Sequence, residues 1–318
     1  MTKRSSPPSL TLPRHKSGLP DLCTDVANSG KPEFIGGGDR LATLAKSETQ
    51  ASIFRNNRAR GDIAISVAAT DGRTRRQQVE ESGSYRIRFP NTDGIESEAV
   101  IVNTAGGVAG GDDFSVSIAA TDNAQLAVTT AAAEKIYRAI DRPARMNVSL
   151  SVASGAALRW LPQETILFDE TRLHRDITVD LDDSAQLLMA EAIVFGRSAM
   201  NETVRRGELV DRWRIRRNGR LVFAETLKLD GDVSALLARP AAGNGAVALA
   251  TIIMSPNNDS VVEALRALFE GFSSEAGVSA WNGITVIRLC SDDAAALRRD
   301  LVSVLNAAGG ALPRLWTN

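Results

Sequence analysis

The sequence predicts a mainly β protein, a layered, β-helix-like stack of strands with about two C-terminal α-helices. Apolar and polar residues alternate over many short segments, which is typical of strands with one dry face. Paired strand segments recur at a nearly constant spacing, which is typical of stacked units. Helical periodicity is confined to the chain beyond about residue 258.

Alternation with a period of two identifies the strands from about residue 61 onwards. It is clear in residues 85–89, 114–118 and 177–181, where every second side chain is apolar. Successive side chains of a strand point to opposite faces of its sheet, so these segments have one buried face. Asn218-Gly219 separates two such segments and predicts a type I′ hairpin, because that turn needs positive φ at both central residues.

A strand-turn-strand unit occurs in three copies, which cover residues 116–128, 148–160 and 177–189. The copies follow one another at nearly equal intervals. Units of this length cannot bury an apolar face alone and are stabilised by stacking on their neighbours. A plain antiparallel meander would contain similar hairpins, so the repeat leaves both architectures open.

Two helices are predicted after the strands. Ser260 and Glu263 fit a capping box at the start of the first helix. Ser291 is predicted to cap the second helix, which ends at Gly309-Gly310 because glycine commonly terminates helices.

Residues 1–50 are predicted to form a disordered arm, and residues 51–318 a single domain. Five of the 11 prolines fall within the arm, and its beginning, residues 1–16, contains four basic side chains and no acidic one. Such a segment buries too little apolar surface to offset the entropy of ordering it.

Composition excludes several classes of function. The formal net charge of -1 argues against a broad electrostatic surface for nucleic acid. No leader with an apolar segment is visible, and no apolar run is long enough to cross a bilayer. We therefore expect a soluble cytoplasmic protein without nucleic-acid or membrane partners.

Histidine and cysteine are scarce, with His15, His174, Cys23 and Cys290 the complete set. This argues against a disulfide framework and against a thiolate zinc site. Any metal handled by the chain must rely mostly on carboxylates, backbone carbonyls, water or partner chains.

Two polar segments are candidates for chemistry. Residues 103–113 contain four glycines, but Asp112 stands where a phosphate-binding loop needs lysine, so a tight turn is predicted. In residues 129–138, Glu134 would pair with Arg138 on a helix, or share one strand face with Ile136.

Two further acids lie among apolar residues, Glu164 and Glu191. Such acids are normally paired, and Arg197 or Arg159 would serve for Glu191. A carboxylate pair could also perform general acid-base chemistry, which defines an alternative function as a β-solenoid hydrolase or lyase. No nucleophile motif is present, and His174 has no triad pattern around it.

The polar segments, and the order in which they occur, resemble those of the urease accessory protein D family (UreD, also UreH). The matching segments are NTAGGVAGGD (103–112), TTAAAEKIYR (129–138), LPQETILFD (161–169), EAIVFGRSAMNE (191–202), DRWRIRRNGRLVFAE (211–225) and LPRLW (312–316). Together they cover roughly residues 50–318. The resemblance implies a β-helix-like stack with two helices, in agreement with the repeat.

The resemblance also implies a non-catalytic role in the maturation of nickel urease. Family members join accessory protein F and the GTPase accessory protein G on apo-urease and assist GTP-dependent nickel insertion. The resemblance implies no tightly bound cofactor. It implies that nickel passes through the protein by a water-filled passage. The passage residues implied by motif position are Asp112, Glu134, Glu164 and Glu191. A pure scaffold, with nickel travelling elsewhere, is the other alternative.

Overall fold

Strands dominate the part of the chain that this computed structural model describes, residues 58–92, 94–197, 200, 202–309 and 311–317. The predicted disordered arm, residues 1–50, lies outside these described residues. Seventeen strands occur within them: β1 Arg60–Thr70, β2 Arg73–Gly83, β3 Tyr85–Arg88, β4 Ser97–Asn103, β5 Asp113–Thr121, β6 Gln125–Thr130, β7 Glu134–Ile136, β8 Ala144–Val152, β9 Ala157–Trp160, β10 Thr165–Leu167, β11 Thr171–Leu181, β12 Gln186–Phe195, β13 Arg206–Arg217, β14 Arg220–Asp232, β15 Ala248–Ser255, β16 Glu275–Trp281 and β17 Ile284–Ser291.

The strands form two sheets. Sheet A has seven strands in the order β14-β13-β11-β8-β5-β1-β2. Sheet B has ten, with the path β16-β17-β15-β12-β9-β6-β4-β3 and with β10 joining β12 to β7. The mainly β prediction is confirmed.

The predicted repeat is a stack of parallel rungs, and the meander alternative is wrong for this region. In sheet A, Val148 of β8 lies opposite Val116 of β5 and Ile177 of β11. In sheet B, Leu158 of β9 lies opposite Leu126 of β6 and Leu187 of β12. Equivalent positions of the three sequence copies are therefore neighbours in each sheet, so each repeat forms one coil of a solenoid.

The two ends of each coil differ. Tight turns lead from sheet A to sheet B, whereas longer segments return from sheet B to sheet A and stack into a narrow third face. We call this face the end wall, defined by Val108, β7, β10 and the end of β12. Val108 pairs with Ile136, Ile136 with Leu167, and Leu167 with Phe195.

The end wall is built from the glycine-rich segment and the three polar segments after it. The four returning connections, in chain order, fall within or directly after residues 103–112, 129–138, 161–169 and 191–202. Motifs that are far apart in sequence therefore lie on successive rungs.

The main core lies between the inner faces of the two sheets. Alternate side chains of the rungs fill it, and the largest with less than 2% exposure include Ile63, Phe114, Ile118, Leu126, Leu158 and Ile177. Burying each of these side chains contributes roughly 1.5–3 kcal/mol by transfer from water.

The hairpin predicted at Asn218-Gly219 is confirmed between β13 and β14. Asn218 has φ 48° and Gly219 has φ 75°, as a type I′ turn requires.

Among the described residues, three α-helices follow the solenoid strands: α1 Val233–Leu237, α2 Asp259–Phe269 and α3 Ala294–Gly309. Side chains of α2 and α3 cover the outer face of sheet B in a second apolar cluster that includes Leu188, Ile252, Leu265 and Leu301. Helix α1 is too short to give a periodic signal. None of the helices in the described residues has the length and apolar character to span a membrane.

Both helix caps differ from the predicted ones. Asn258 caps α2, its side-chain oxygen accepting from the backbone N–H groups of Ser260 and Val261. At α3 the Asp293 carboxylate accepts from the backbone N–H of Ala295. Ser260 lies inside its helix, because the asparagine before it already satisfies the free N–H groups.

Candidate functional site

A buried cluster of charges lies between the two sheets. Arg175 lies on the inward face of β11, as do Leu173 and Ile177 two residues before and after it. Asp211 of β13 and Glu191 of β12 contact it. The Arg175 guanidinium donates to Asp211 Oδ1 at 2.9 Å and to Glu191 Oε2 at 2.5 Å. The three residues are only 3–5% exposed. Two carboxylates share one guanidinium, which leaves one negative charge when both are ionised.

Neighbouring polar groups complete this cluster. Trp160 Nε1 donates to Glu191 Oε1 at 2.7 Å, and Thr165 accepts from Arg175 Nη1 at 3.4 Å. Burial raises the pKa of Glu191, and the positive charge of Arg175 opposes that rise. Burial lowers the pKa of Arg175, but the charges of Asp211 and Glu191 outweigh it and hold the net pKa above its ordinary value.

A cleft of about 390 Å³ reaches this cluster from the molecular surface. We call it the edge cleft; it lies between β14 of sheet A and β15, β16 and β17 of sheet B. Arg288 bridges its walls by an ion pair with Glu225. Glu275 accepts from the Asn244 amide at 2.9 Å and lies 3.8 Å from the Cys290 thiol. Glu191 and Asp211 form part of the lining of the cleft.

A second, smaller pocket of about 170 Å³ lies at the end wall and is lined by Glu134. We call it the end-wall pocket. Asn103 Nδ2 donates to both carboxylate oxygens of Glu134, at 3.0 and 3.2 Å. Burial raises the pKa of Glu134 to about 7, although the hydrogen bond from Asn103 opposes the rise. Among the described residues, no Lys, Arg or His nitrogen approaches this carboxylate within 4.0 Å.

Tyr85 lies within electrostatic reach of both acids. It is 3% exposed, and its ring packs 4.6 Å from that of Phe114. Burial raises the pKa of the Tyr85 phenol, and the charges of Glu134 and Glu191 raise it further. Glu134 itself lines the end-wall pocket, and Glu191 lines the edge cleft.

The other two acids predicted to contact nickel have separate surroundings. The Asp112 carboxylate accepts from the backbone N–H groups of Ala59 at 2.9 Å and Ala109 at 2.8 Å, which holds the glycine-rich turn. Glu164 forms an ion pair with Arg298 of α3. The structure thus places Glu134 in the end-wall pocket and Glu191 in the edge cleft, and places Asp112 and Glu164 in contacts that stabilise the fold.

The prediction that Arg197 or Arg159 pairs with Glu191 is wrong. Arg197 binds Glu202 at 2.6 Å, and Arg159 binds Glu96. The partner of Glu191 is Arg175. It was not predicted from the sequence, although it occupies an alternating position between the apolar residues Leu173 and Ile177, and such a position in a strand points inward.

The geometry does not favour the alternative hydrolase or lyase. Glu164 binds an arginine of α3 on the outer side of sheet B, whereas Glu191 faces sheet A. The two carboxylates therefore do not face a common cleft, as an acid-base pair would need.

The described residues contain no group of three or more His, Cys, Asp and Glu side chains placed to hold one metal ion. His174 lies at the surface of sheet A and contacts Glu208 at 2.6 Å. A cation in this part of the chain would take single carboxylates, supplemented by backbone oxygens or water.

Comparison with known proteins identifies the family. Residues 59–317 match the model of the UreD urease accessory protein family. A urease accessory protein UreD of Rhodopseudomonas palustris (strain BisA53) is 51% identical over 279 residues, which cover 88% of this chain and 98% of that relative. A UreD of Bradyrhizobium diazoefficiens is 53% identical over 268 residues, covering 84% and 97% respectively. The chain therefore belongs to the UreD family of urease accessory proteins.

Proposed function

We propose that this protein acts in the maturation of urease. It joins accessory protein F and, through the complex, the GTPase accessory protein G on apo-urease in the cytoplasm. There it assists the GTP-dependent insertion of nickel and catalyses no reaction itself. Membership of the family over nearly all of the described chain supports this function.

We further propose that nickel passes through the chain between the edge cleft and the end-wall pocket. The observation that supports this proposal is that Glu191 lines the edge cleft and Glu134 lines the end-wall pocket, so each opening presents a half-buried or buried carboxylate. The order of groups is then edge cleft, Glu191, Glu134 and end-wall pocket. The ion is cargo, and no cofactor is tightly bound.

The chemistry of these groups suits brief contact with a cation. Sites rich in imidazole or thiolate retain Ni²⁺, whereas isolated carboxylates with water bind it weakly. The cluster of Arg175, Asp211 and Glu191 carries one net negative charge when both carboxylates are ionised, and no Lys, Arg or His nitrogen of the described residues lies within 4.0 Å of the Glu134 carboxylate. Both acids can therefore attract an ion without holding it.

Reconstitution in cells tests the maturation role. Urease structural subunits are co-expressed with accessory proteins F and G, with and without this chain, at fixed nickel, and urease activity and bound nickel are measured. We expect both to depend on this chain. Full nickel loading in its absence would exclude the proposed function.

Variants of the carboxylates separate a conduit from a scaffold. We expect Glu134→Gln to lower nickel per urease severalfold while the complex still assembles in a pull-down. Glu170→Gln, at an exposed acid paired with Arg138, is the matched control and should load nickel normally. Asp112→Asn, Glu164→Gln and Glu191→Gln test the remaining three predicted passage residues. If the Glu134 variant loads nickel normally, the conduit proposal is excluded, and the chain acts as a scaffold while nickel travels by another route.

A further inference from the structure

A pocket of about 450 Å³ lies where strands β1, β5 and β8 begin, and four arginines line it. We call it the arginine pocket. Its remaining lining comes from the glycine-rich turn and the loop before β8. The lining residues are Arg58, Arg60, Gly111, Asp112, Asp113, Arg142, Pro143 and Arg145.

The register of three parallel strands places two of these arginines. Asp113 of β5 pairs with Arg60 of β1 on one side and with Arg145 of β8 on the other. All three are exposed on the outer face of sheet A. Adjacent strands are about 4.8 Å apart, so the two arginines flank Asp113 at a backbone separation of about 10 Å. No carboxylate of the described residues lies within 4.0 Å of either guanidinium.

The other two arginines converge over Gly111, which has φ 84°. A Cβ atom on this glycine would lie 3.1 Å from Arg58 Nε and 3.4 Å from Arg142 Nε. Glycine here lets both guanidinium groups approach the backbone closely. Arg58 Nε is buried and has no hydrogen-bond partner among the described residues. A buried donor without a partner costs free energy, which a bound acceptor would recover.

The acids around the arginine pocket neutralise it only in part. Both carboxylate oxygens of Asp112 already accept backbone N–H groups. Asp141 lies 3.6 Å from Arg58 and 4.0 Å from Arg142. A hydrogen bond from the Arg142 backbone and the charges of both arginines hold the pKa of Asp141 below its ordinary value. Of the four arginines that line the pocket, Arg60 and Arg145 have no carboxylate of the described residues within 4.0 Å.

We propose that the arginine pocket binds an oxyanion of the phosphate class. Guanidinium groups donate paired N–H groups that match the oxygen spacing of phosphate, and several of them around one concave site favour a dianion. A volume of about 450 Å³ is within the range of small-molecule sites and accommodates either free phosphate or the phosphate group of a nucleotide. This inference is independent of nickel transfer.

Calorimetric titration of the full chain at low ionic strength tests the proposal, with inorganic phosphate in one arm and adenosine 5′-monophosphate in the other. We expect saturable binding of phosphate with one site per chain, which sulfate displaces. Tighter binding of the nucleotide would identify a nucleotide phosphate as the ligand, and equal binding would identify free phosphate.

Charge-removing variants locate the site. Arg58→Gln and Arg145→Gln should each weaken binding about tenfold or more, because each removes a charged donor. Arg220→Gln removes the same charge from an exposed residue of β14 and should leave binding unchanged. Circular dichroism confirms that each variant is folded. Absence of saturable binding in both arms, or equal weakening by Arg220→Gln, would overturn the proposal.

Discussion

Arg175 is the residue on which the interior polar contacts depend most directly. It joins β11 and β13 of sheet A to β12 of sheet B through Asp211 and Glu191. A buried ion pair contributes little net stability compared with an apolar replacement of all its members, but removal of one member leaves the others uncompensated. The cluster therefore fixes the geometry around the edge cleft.

Replacement of this arginine should destabilise the protein strongly. We expect Arg175→Met to lower the free energy of unfolding by about 3–5 kcal/mol, because two buried carboxylates lose their counterion. Arg212→Met, at an exposed ion pair with Asp176 on the outer face of the same sheet, should cost less than about 1 kcal/mol. Urea denaturation of both variants measures the difference. Similar losses in the two variants would contradict this account of the cluster.

Glu134 makes stability depend on pH in the opposite sense to a salt-bridged acid. Its folded pKa is about 7, above the ordinary value of 4.5. The folded state therefore holds the proton between these values while the unfolded state releases it, and stability falls as pH rises from about 4.5 to 7. Above about pH 7, Glu134 is ionised in both the folded and the unfolded state, so it causes no further fall in the free energy of unfolding.

Glu134→Gln should remove this dependence. We expect the variant to be more stable than the parent chain at pH 8, by about 1–2 kcal/mol, and to differ less at pH 5. Thermal unfolding in the absence of nickel at several pH values measures the effect. A parent chain whose stability relative to the variant rises with pH would show that the Glu134 pKa is not raised.

The coil is the unit that organises the molecule at the level of secondary structure. Each coil contributes one strand to sheet A, one to sheet B and one segment to the end wall. Sheet A continues the stack on both sides, since Ile63 of β1 pairs with Val116 and Trp213 of β13 pairs with Ile177. The sequence did not reveal these two rungs, because their spacing differs from that of the three copies and their partner strands run antiparallel.

The β13–β14 hairpin offers a test of turn geometry on an element of sheet A. We expect Gly219→Ala to lower the free energy of unfolding by about 1 kcal/mol, because the added Cβ meets no atom within 4 Å but φ is 75°. Gly277→Ala in β16 also has open space around its Cβ and has no positive φ, so it should cause no loss. Chemical denaturation compares the two, and a larger loss at Gly277 would contradict the argument.

At the level of the whole molecule, the C-terminal segment fastens the helices to sheet B. Trp316 is 3% exposed, and its indole N–H donates to the Leu161 carbonyl at 2.9 Å. Arg298 of α3 stacks over its ring at 4.8 Å and also pairs with Glu164. Glu164 thus stabilises the packing of α3 against the end wall.

Removal of this side chain should affect the whole fold. We expect Trp316→Ala to destabilise the protein by about 3–5 kcal/mol through lost burial and an empty cavity. Trp281→Ala, at a tryptophan that is 42% exposed, should cost about 1 kcal/mol. Calorimetric melting of both variants measures the difference. Equal effects would mean that the C-terminal segment does not secure the helices.

Local sequence patterns predicted most of the strands, the three-copy repeat, the Asn218-Gly219 hairpin, the two longer helices and the family. Periodicity and turn chemistry are local properties, which a sequence shows directly. The nearly equal spacing of the three copies corresponds to the register in which the parallel rungs pair. For residues 129–138 the sequence left a helix and a strand open, and the structure has the strand β7, with Glu134 and Ile136 on one face.

The tertiary structure decided which charges meet. Arg175 reaches Glu191 across the interior and Asp211 on the neighbouring strand, and Asn103 donates to Glu134. No spacing along the chain sets distances between two sheets, because those distances arise only when the inner faces pack together. For the same reason the sequence left an acid-base pair of Glu164 and Glu191 open as an alternative, whereas in the structure they bind arginines on opposite sides of sheet B.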